Sequence, residues 1–196
     1  MKYGCRKCRR EGEKLLLKGD RCLGPKCAMT KRSYPPGQHG MQMTKKMSEY
    51  GRQLREKQRL KKIYGLYEST LKKYYDISEK SKGNTTELLV SLLELRLDNI
   101  LYRVNLAPSR SASRQMASHG KVLINGQKVT IPSIILKKSD KISFSKSVDF
   151  SKIGNHNLSW LKTNAKAGEI VVNHLPLREE IDLNVNESLV VEFYSR

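Results

Sequence analysis

The stretch Arg96–Val129, RLDNILYRVNLAPSRSASRQMASHGKVLINGQKV, constrains the fold more than any other because it specifies four consecutive pieces and the junctions between them. Leu97, Ile100, Leu101 and Val104 recur at helical spacing, with Arg96 and Arg103 on the other side, which predicts a short amphipathic helix with a wet, cationic face. Pro108 stops any continuation, and Ser109 is a good N-cap for a second helix running to about His119, with Gly120 as its C-terminal stop. On that helix Arg110 and Arg114 are four apart and project together, away from Ala112 and Met116. Two guanidinium groups in register suit phosphates. Val122 and Ile124 then alternate ahead of Asn125-Gly126, a hairpin signal because a type I′ turn needs positive φ at both central residues, and Lys121 and Lys128 flank the turn.

An isolated basic helix corner is often no more than a solvated surface, so composition decides how to read this one. The 196 residues carry 38 Lys and Arg against 19 Asp and Glu, a formal net charge of +19 that exceeds what solubility needs and points to a polyanion, nucleic acid first. A membrane surface would attract the same charge. Yet no apolar run approaches the ~20 residues needed to span a bilayer, and no signal-type core follows the N-terminus, so the expectation is a cytosolic protein without a membrane partner. At 38% hydrophobic residues the chain supports two small bodies rather than one large core.

The first 46 residues hold 13 Lys and Arg, only three acids, and all four cysteines. Cys5, Cys8, Cys22 and Cys27 form two close pairs, each able to supply two thiolates to a tetrahedral metal, for which zinc fits best. Metal binding would provide folding energy that this apolar-poor segment, with Leu15 to Leu17 as its main core material, cannot draw from burial. Disulfides are disfavoured in a reducing cytosol, and an iron–sulfur cluster remains open on four thiolates alone. No histidine is needed as a ligand, which leaves His39, His119, His156 and His174 to loops, cores or RNA. Ser33–Gly40, SYPPGQHG, cannot be helical through Pro35-Pro36 and reads as an extended, exposed arm.

Ser48 opens a long helical stretch with an apolar stripe from Tyr50 through Leu54, Ile63, Leu66, Tyr67 and Leu71 to Tyr74, interrupted near Gly65. Its outward positions include Arg52, Arg55, Lys57, Arg59, Lys61 and Lys62 with Glu56 as the only acid, which predicts a phosphate-facing surface. Gly83-Asn84 punctuates, Thr85 or Thr86 can cap, and a leucine-rich helix to Glu94 closes the helical body, with a boundary near Leu95. Beyond the hairpin, Ile134–Leu136 lead to a Ser139-Asp140 turn, and Ile142 and Phe144 alternate as strand positions. The signal from Ser145 to Asn157 is mixed. Trp160-Leu161 and Ile170–Val172 read as two more strands of a small antiparallel sheet covering the two helices. The segment Asn186–Arg196 reads equally as a capped helix or an edge strand.

Four motifs bring a family into view: CRKCRREGEKLLLKG at 5–19, YPPGQHG at 34–40, SEYGRQLREKQ at 48–58, and the 96–129 stretch itself. Together they resemble the bacterial small-subunit ribosomal protein S4 family in its zinc-bearing form, over nearly the whole length. The resemblance implies an α+β protein: a zinc-bound basic N-terminal segment and arm (1–46), a helical domain (47–94) rejoined by 178–196, and an inserted RNA-binding module of two helices and a small antiparallel sheet (95–177). It implies direct binding to small-subunit (16S-type) rRNA early in assembly, nucleation of the subunit body and a part in translational accuracy. It further implies contact with neighbouring ribosomal proteins and with mRNA where the messenger enters the subunit. Carried over residue by residue, the RNA-facing positions are Tyr34, Gln38 and His39 in the arm, Arg52, Arg55, Lys57 and Arg59 on the long helix, and Arg96, Arg103, Arg110, Arg114, His119, Lys121 and Lys128 in the module. Cys5, Cys8, Cys22 and Cys27 match the family's metal ligands. Two departures concern local turns: Ser139-Asp140 stands where Gly-Asp is usual, and Pro108 where a small residue is common.

Two rival functions need other features. A nucleic-acid-modifying enzyme that borrows the module needs a catalytic domain, and beyond Glu179-Glu180 there are no clustered carboxylates, no phosphate-cradling glycine loop and no Cys-His pair free of the metal site. A DNA-binding regulator would put the Arg110–His119 helix into a major groove, a reading that competition between duplex DNA and structured RNA decides.

Overall fold

In the first of two structural units, Ser48 starts the longest helix by accepting a hydrogen bond from the Gly51 amide at 3.2 Å. A computed structural model of the chain describes residues 4–42, 46–145, 158–164 and 168–196. Most of the mixed stretch 145–157, with His156, lies outside the described residues. Contacts divide the chain into Met1–Thr86 with Asn184–Arg196, and Glu87–Leu183.

The first unit holds three short N-terminal helices, α1 (Gly4–Glu11), α2 (Asp20–Leu23) and α3 (Ala28–Lys31), followed by α4 (Glu49–Ile63) and α5 (Glu68–Lys80). Gly65 at φ 66 makes the break between α4 and α5 where the apolar stripe falters. Tyr67 is 81% exposed, because it sits at the α5 N-cap and not inside a continuous helix. The ambiguous C-terminus is a helix, α9 (Glu187–Tyr194), capped by Asn186 and lying along α4. Its Phe193 and Tyr194 meet Tyr50 and Tyr75 with ring centroids 5.7 and 5.0 Å apart, so the inward side chains follow helical spacing.

The second unit is α+β. It contains most of α6 (Thr85–Glu94), then α7 (Leu97–Arg103), α8 (Arg110–Ser118) and five strands: β1 (Val122–Ile124), β2 (Gln127–Val129), β3 (Lys141–Phe144), β4 (Leu161–Asn164) and β5 (Glu169–Val172). The sheet is antiparallel throughout, in the order β2-β1-β3-β5-β4. Leu97, Ile100, Leu101 and Val104 pack with Ala117, Val122, Ile142, Trp160, Ile170 and Val172 in one core, so α7 and α8 cover one face of the sheet.

By its contacts, the helical segment that ends at Glu94 lies mainly in the second unit, which begins at Glu87. Its C-terminal half is tied there by hydrogen bonds, Ser91 Oγ donating to the Pro176 carbonyl at 2.6 Å and buried Glu94 engaging α7. The Asn125-Gly126 hairpin has φ of 50° and 83°, as a type I′ turn requires. Ser139 occupies the left-handed region at φ 73°, and the Asp140 carboxylate closes that turn by accepting from the Lys137 amide at 2.7 Å. Among the described residues no helix is long and apolar enough to cross a membrane.

Candidate nucleic-acid interface

The corner between α7 and α8 is built on a buried polar network that periodicity did not reveal. Glu94 is fully buried and accepts two hydrogen bonds from Arg103, at 2.8 and 2.7 Å. Asn99, 1% exposed, donates through its amide nitrogen to the Glu94 carboxylate at 2.7 Å and to the Glu94 carbonyl at 3.0 Å. Its amide oxygen accepts from Arg110 Nε at 2.8 Å. The Arg110 guanidinium lies 4.4 Å from the Tyr102 ring centroid. Asp98 receives Arg96 in a fork, at 3.0 and 2.7 Å, and Arg114 at 3.3 Å.

Four guanidiniums therefore gather around two carboxylates, Arg96 and Arg103 in two-bond contacts and Arg110 and Arg114 reaching the same network from α8. Arg110 is half-buried and oriented by Asn99 and Tyr102, while the Arg114 side chain is 53% exposed. Both sit on the first two turns of α8, whose N-terminus is capped by Ser109 Oγ accepting from the Ala112 amide at 3.3 Å and carries the positive end of the helix dipole. His119, Lys121 and Lys128 are exposed beyond the other end of α8. The arrangement can hold phosphates at fixed positions without reorganising the arginine that is already stacked.

Arg96 and Arg103 do not face solvent, contrary to the reading of α7 as a helix with a wet cationic side. Arg96 precedes the helix in an isolated antiparallel bridge to Ile135, and that extended conformation turns its side chain inward to Asp98. Arg103 is drawn onto Glu94, the last residue of α6, and also donates to the Asp182 carbonyl at 3.3 Å. The missed residues, Glu94, Asp98, Asn99 and Tyr102, left one trace in the sequence: polar side chains in the middle of an apolar stretch.

The expected phosphate-facing surface of α4 is largely an internal ion-pair lattice. Arg55 and Lys62 pair with Glu11, whose side chain is 1% exposed. Arg59 pairs with Glu13 and, at 3.0 Å, with Glu56. Lys57 is buried, donates to Glu68 at 2.6 Å and lies 4.1 Å from the Phe193 ring centroid, and Lys61 reaches the same carboxylate at 2.8 Å. The sequence window around α4 showed one acid because the partners come from α1, the segment after it and α5. Arg52 alone of the six is exposed and unpaired among the described residues.

Ser33–Gly40 is not an extended arm but a closed turn. Arg9 Nε donates to the Tyr34 carbonyl at 2.9 Å, its guanidinium stacks on the Tyr34 ring at 4.8 Å, and Arg9 also donates to the Pro35 carbonyl at 3.3 Å. The chain closes so tightly that a Cβ on Gly40 would stand 2.0 Å from the Pro35 oxygen. Gln38 and His39 remain exposed at the tip.

The four cysteines line one small cavity, with Leu17 and Met29 among its other walls. Cys5 and Cys8 stand one turn apart on α1, Cys22 lies on α2, and Cys27 is the N-cap of α3; all four are free thiols, three of them buried. The Lys18 amide donates to Cys22 Sγ at 3.3 Å. Burial pushes the Cys8 thiol up from its ordinary value, and the other three sulfurs push the same way. Among the described residues no group of three or more His, Cys, Asp or Glu side chains is drawn together closely enough to hold a metal ion. Donor identity and the shared cavity fit a tetrahedral metal with thiolate ligands.

Comparison with known proteins agrees with this architecture. Residues 2–94 match the ribosomal protein S4/S9 N-terminal domain, and residues 95–142 match the S4 domain. The chain is 50% identical to small ribosomal subunit protein uS4 of Halothermothrix orenii and 48% identical to that of Clostridioides difficile, in each case over 98% of this chain and 96% of the relative. Small ribosomal subunit protein uS4A of Alkaliphilus metalliredigens is 47% identical over the same shares. With its two-helix corner, its antiparallel sheet and this likeness along nearly the full length, the chain belongs to the small ribosomal subunit protein uS4 family.

Proposed function

We propose that the protein is a structural, non-enzymatic constituent of the small ribosomal subunit that binds small-subunit rRNA through the outer face of α8. The observation that carries this reading is the pair Arg110 and Arg114 on the first two turns of α8, Arg110 oriented by Asn99 and Tyr102 and Arg114 with a side chain 53% exposed. Lys and Arg on a rigid corner release counterions from phosphates, and the fixed geometry selects a folded RNA by shape. His119, the exposed turn residues Gln38 and His39, and Arg52 are further contacts in this reading, whereas Lys121 and Lys128 reach RNA from the sheet and not from α8. Lys57, Arg59, Arg96 and Arg103 support the fold.

In the same reading the protein joins the rRNA early, nucleates the body of the subunit, touches neighbouring ribosomal proteins and mRNA where the messenger enters, contributes to accuracy and works in the cytoplasm. Cys5, Cys8, Cys22 and Cys27 hold zinc, which supplies four metal–sulfur bonds to a segment with a small core cluster of Cys8, Leu15 and Leu17, against which Met29 and Ile63 pack. The test is binding of a folded small-subunit rRNA transcript, with duplex DNA as competitor. Arg110→Ala/Arg114→Ala should weaken RNA binding by about 1–3 kcal/mol for each desolvated contact, with unchanged circular dichroism. Undiminished binding by the double variant, or equal binding to duplex DNA, defeats the proposal.

A further inference from the structure

Antiparallel pairing fixes which side chains share the uncovered face of the sheet, because residues directly opposite each other point the same way. Leu123 pairs with Lys128, and Lys141 and Lys162 both pair with Val171 from its two sides. Lys121, two residues before Leu123, falls on the same side by alternation. The face turned away from α7 and α8 thus carries Lys121, Lys128, Lys141 and Lys162, all exposed, and Glu169 as the acid two residues from Val171. None of the four lysines has an ion-pair partner among the described residues. The Lys128 stem runs past Gly120, where a Cβ would stand 2.4 Å from Lys128 Cε.

A solvated sheet face normally mixes signs, and lysines on edge strands guard against unwanted pairing. Edge protection accounts for Lys128 on β2 and Lys162 on β4, but not for Lys141, which lies on the central strand β3. Among the described residues the centre of the face offers half-buried Leu123, Ser143 and Val171 and no aromatic side chain, and lysine is depleted in the cores of protein interfaces. Lysines on β3 and β4 with one strand between them are about 10 Å apart at the backbone, each with a flexible stem that adapts to a phosphate.

We propose that this outer sheet face is a second RNA-docking surface, which takes the phosphate backbone of a different segment of the RNA from the one held at α8, on the opposite layer of the second unit. The proposal rests on the RNA-binding reading above and adds to it a separate site. Binding of the full-length protein to a full-length small-subunit rRNA transcript, titrated between about 50 and 200 mM salt, tests it. Lys141→Gln/Lys162→Gln should reduce the slope of log K against log salt by roughly 1.8, close to 0.9 for each phosphate no longer neutralised, and Lys141→Arg/Lys162→Arg should restore it. In the unmodified protein, RNA should slow acylation of Lys141 and Lys162.

The inference is overturned if the slope stays the same and both lysines acylate at the free rate. It also fails if Lys72→Gln/Lys73→Gln, removing equal charge from α5, lowers the slope as much. Protection that arises only once other ribosomal proteins are added would assign the face to a protein and sink the proposal too. A Lys141/Lys162 variant that binds normally beside an Arg110/Arg114 variant that does not would overturn this surface and leave the α8 reading intact, whereas no binding by the unmodified protein would overturn both.

Discussion

At Asn99 one buried side-chain amide bonds to two groups of Glu94 and one of Arg110, and so links the buried carboxylate to the arginine on α8. Asn99→Ala should therefore lower unfolding free energy by about 1–3 kcal/mol, since it strips a partner from a buried acceptor and from Arg110 Nε. Urea denaturation measures the loss, and RNA affinity should fall with it because the Arg110 guanidinium is no longer aimed. Ser139 shows the opposite case. Its φ of 73° costs an L-residue about 1–2 kcal/mol, so Ser139→Gly should stabilise the second unit by about 0.5–1 kcal/mol after glycine's greater chain entropy is subtracted. An unchanged or lower thermal midpoint would contradict that account.

Among elements, α4, α5 and α9 are joined by a single carboxylate. Burial pushes Glu68 up, but hydrogen bonds from Lys57, Lys61 and Tyr194 outweigh it and hold the group at about 2 against an ordinary 4.5. A depressed carboxylate contributes stability that is fully present above its unfolded value and is lost as pH falls from about 4.5 toward 2. The Tyr194 phenol is pushed up by burial and by Glu68, so its contribution is present below the ordinary tyrosine value of 10 and is lost as pH rises beyond it. Melting of the protein followed across pH should show both limbs. Glu68→Gln should flatten the acid limb, and an acid limb unchanged in that variant would place the titration elsewhere.

For the whole molecule, two units with different sources of stability follow from where the apolar residues lie. The second unit has a core centred on Leu97, Ile100, Leu101, Trp160 and Ile170, whereas the N-terminal segment of the first leans on three buried core residues and, in the proposed reading, on zinc. Chelation of the metalloprotein, or Cys22→Ser, should loosen residues 4–42 while the 87–183 unit keeps its amide-exchange protection. Uniform unfolding of both units, or no change in either, would argue against that division of labour. The net charge of +19 also predicts RNA affinity that falls steeply with salt, read directly from a salt titration.

The sequence alone determined what depends on near neighbours: the helix caps at Ser48 and Ser109, the break at Gly65, the type I′ hairpin at Asn125-Gly126, and the excess charge. Each follows from local backbone chemistry or from side-chain spacing within one element. Tertiary structure decided which cations are available. Arg55, Lys57, Arg59, Arg96 and Arg103 look alike in sequence to the cations that stay exposed, yet Glu11, Glu13, Glu68, Asp98 and Glu94 engage them across turns and between elements. The same long-range geometry folded the proline-rich turn onto Arg9 and gathered Lys141 and Lys162 beside Val171. Periodicity reports the direction of a side chain relative to its own backbone, whereas a charge is neutralised by whatever the rest of the chain brings within reach.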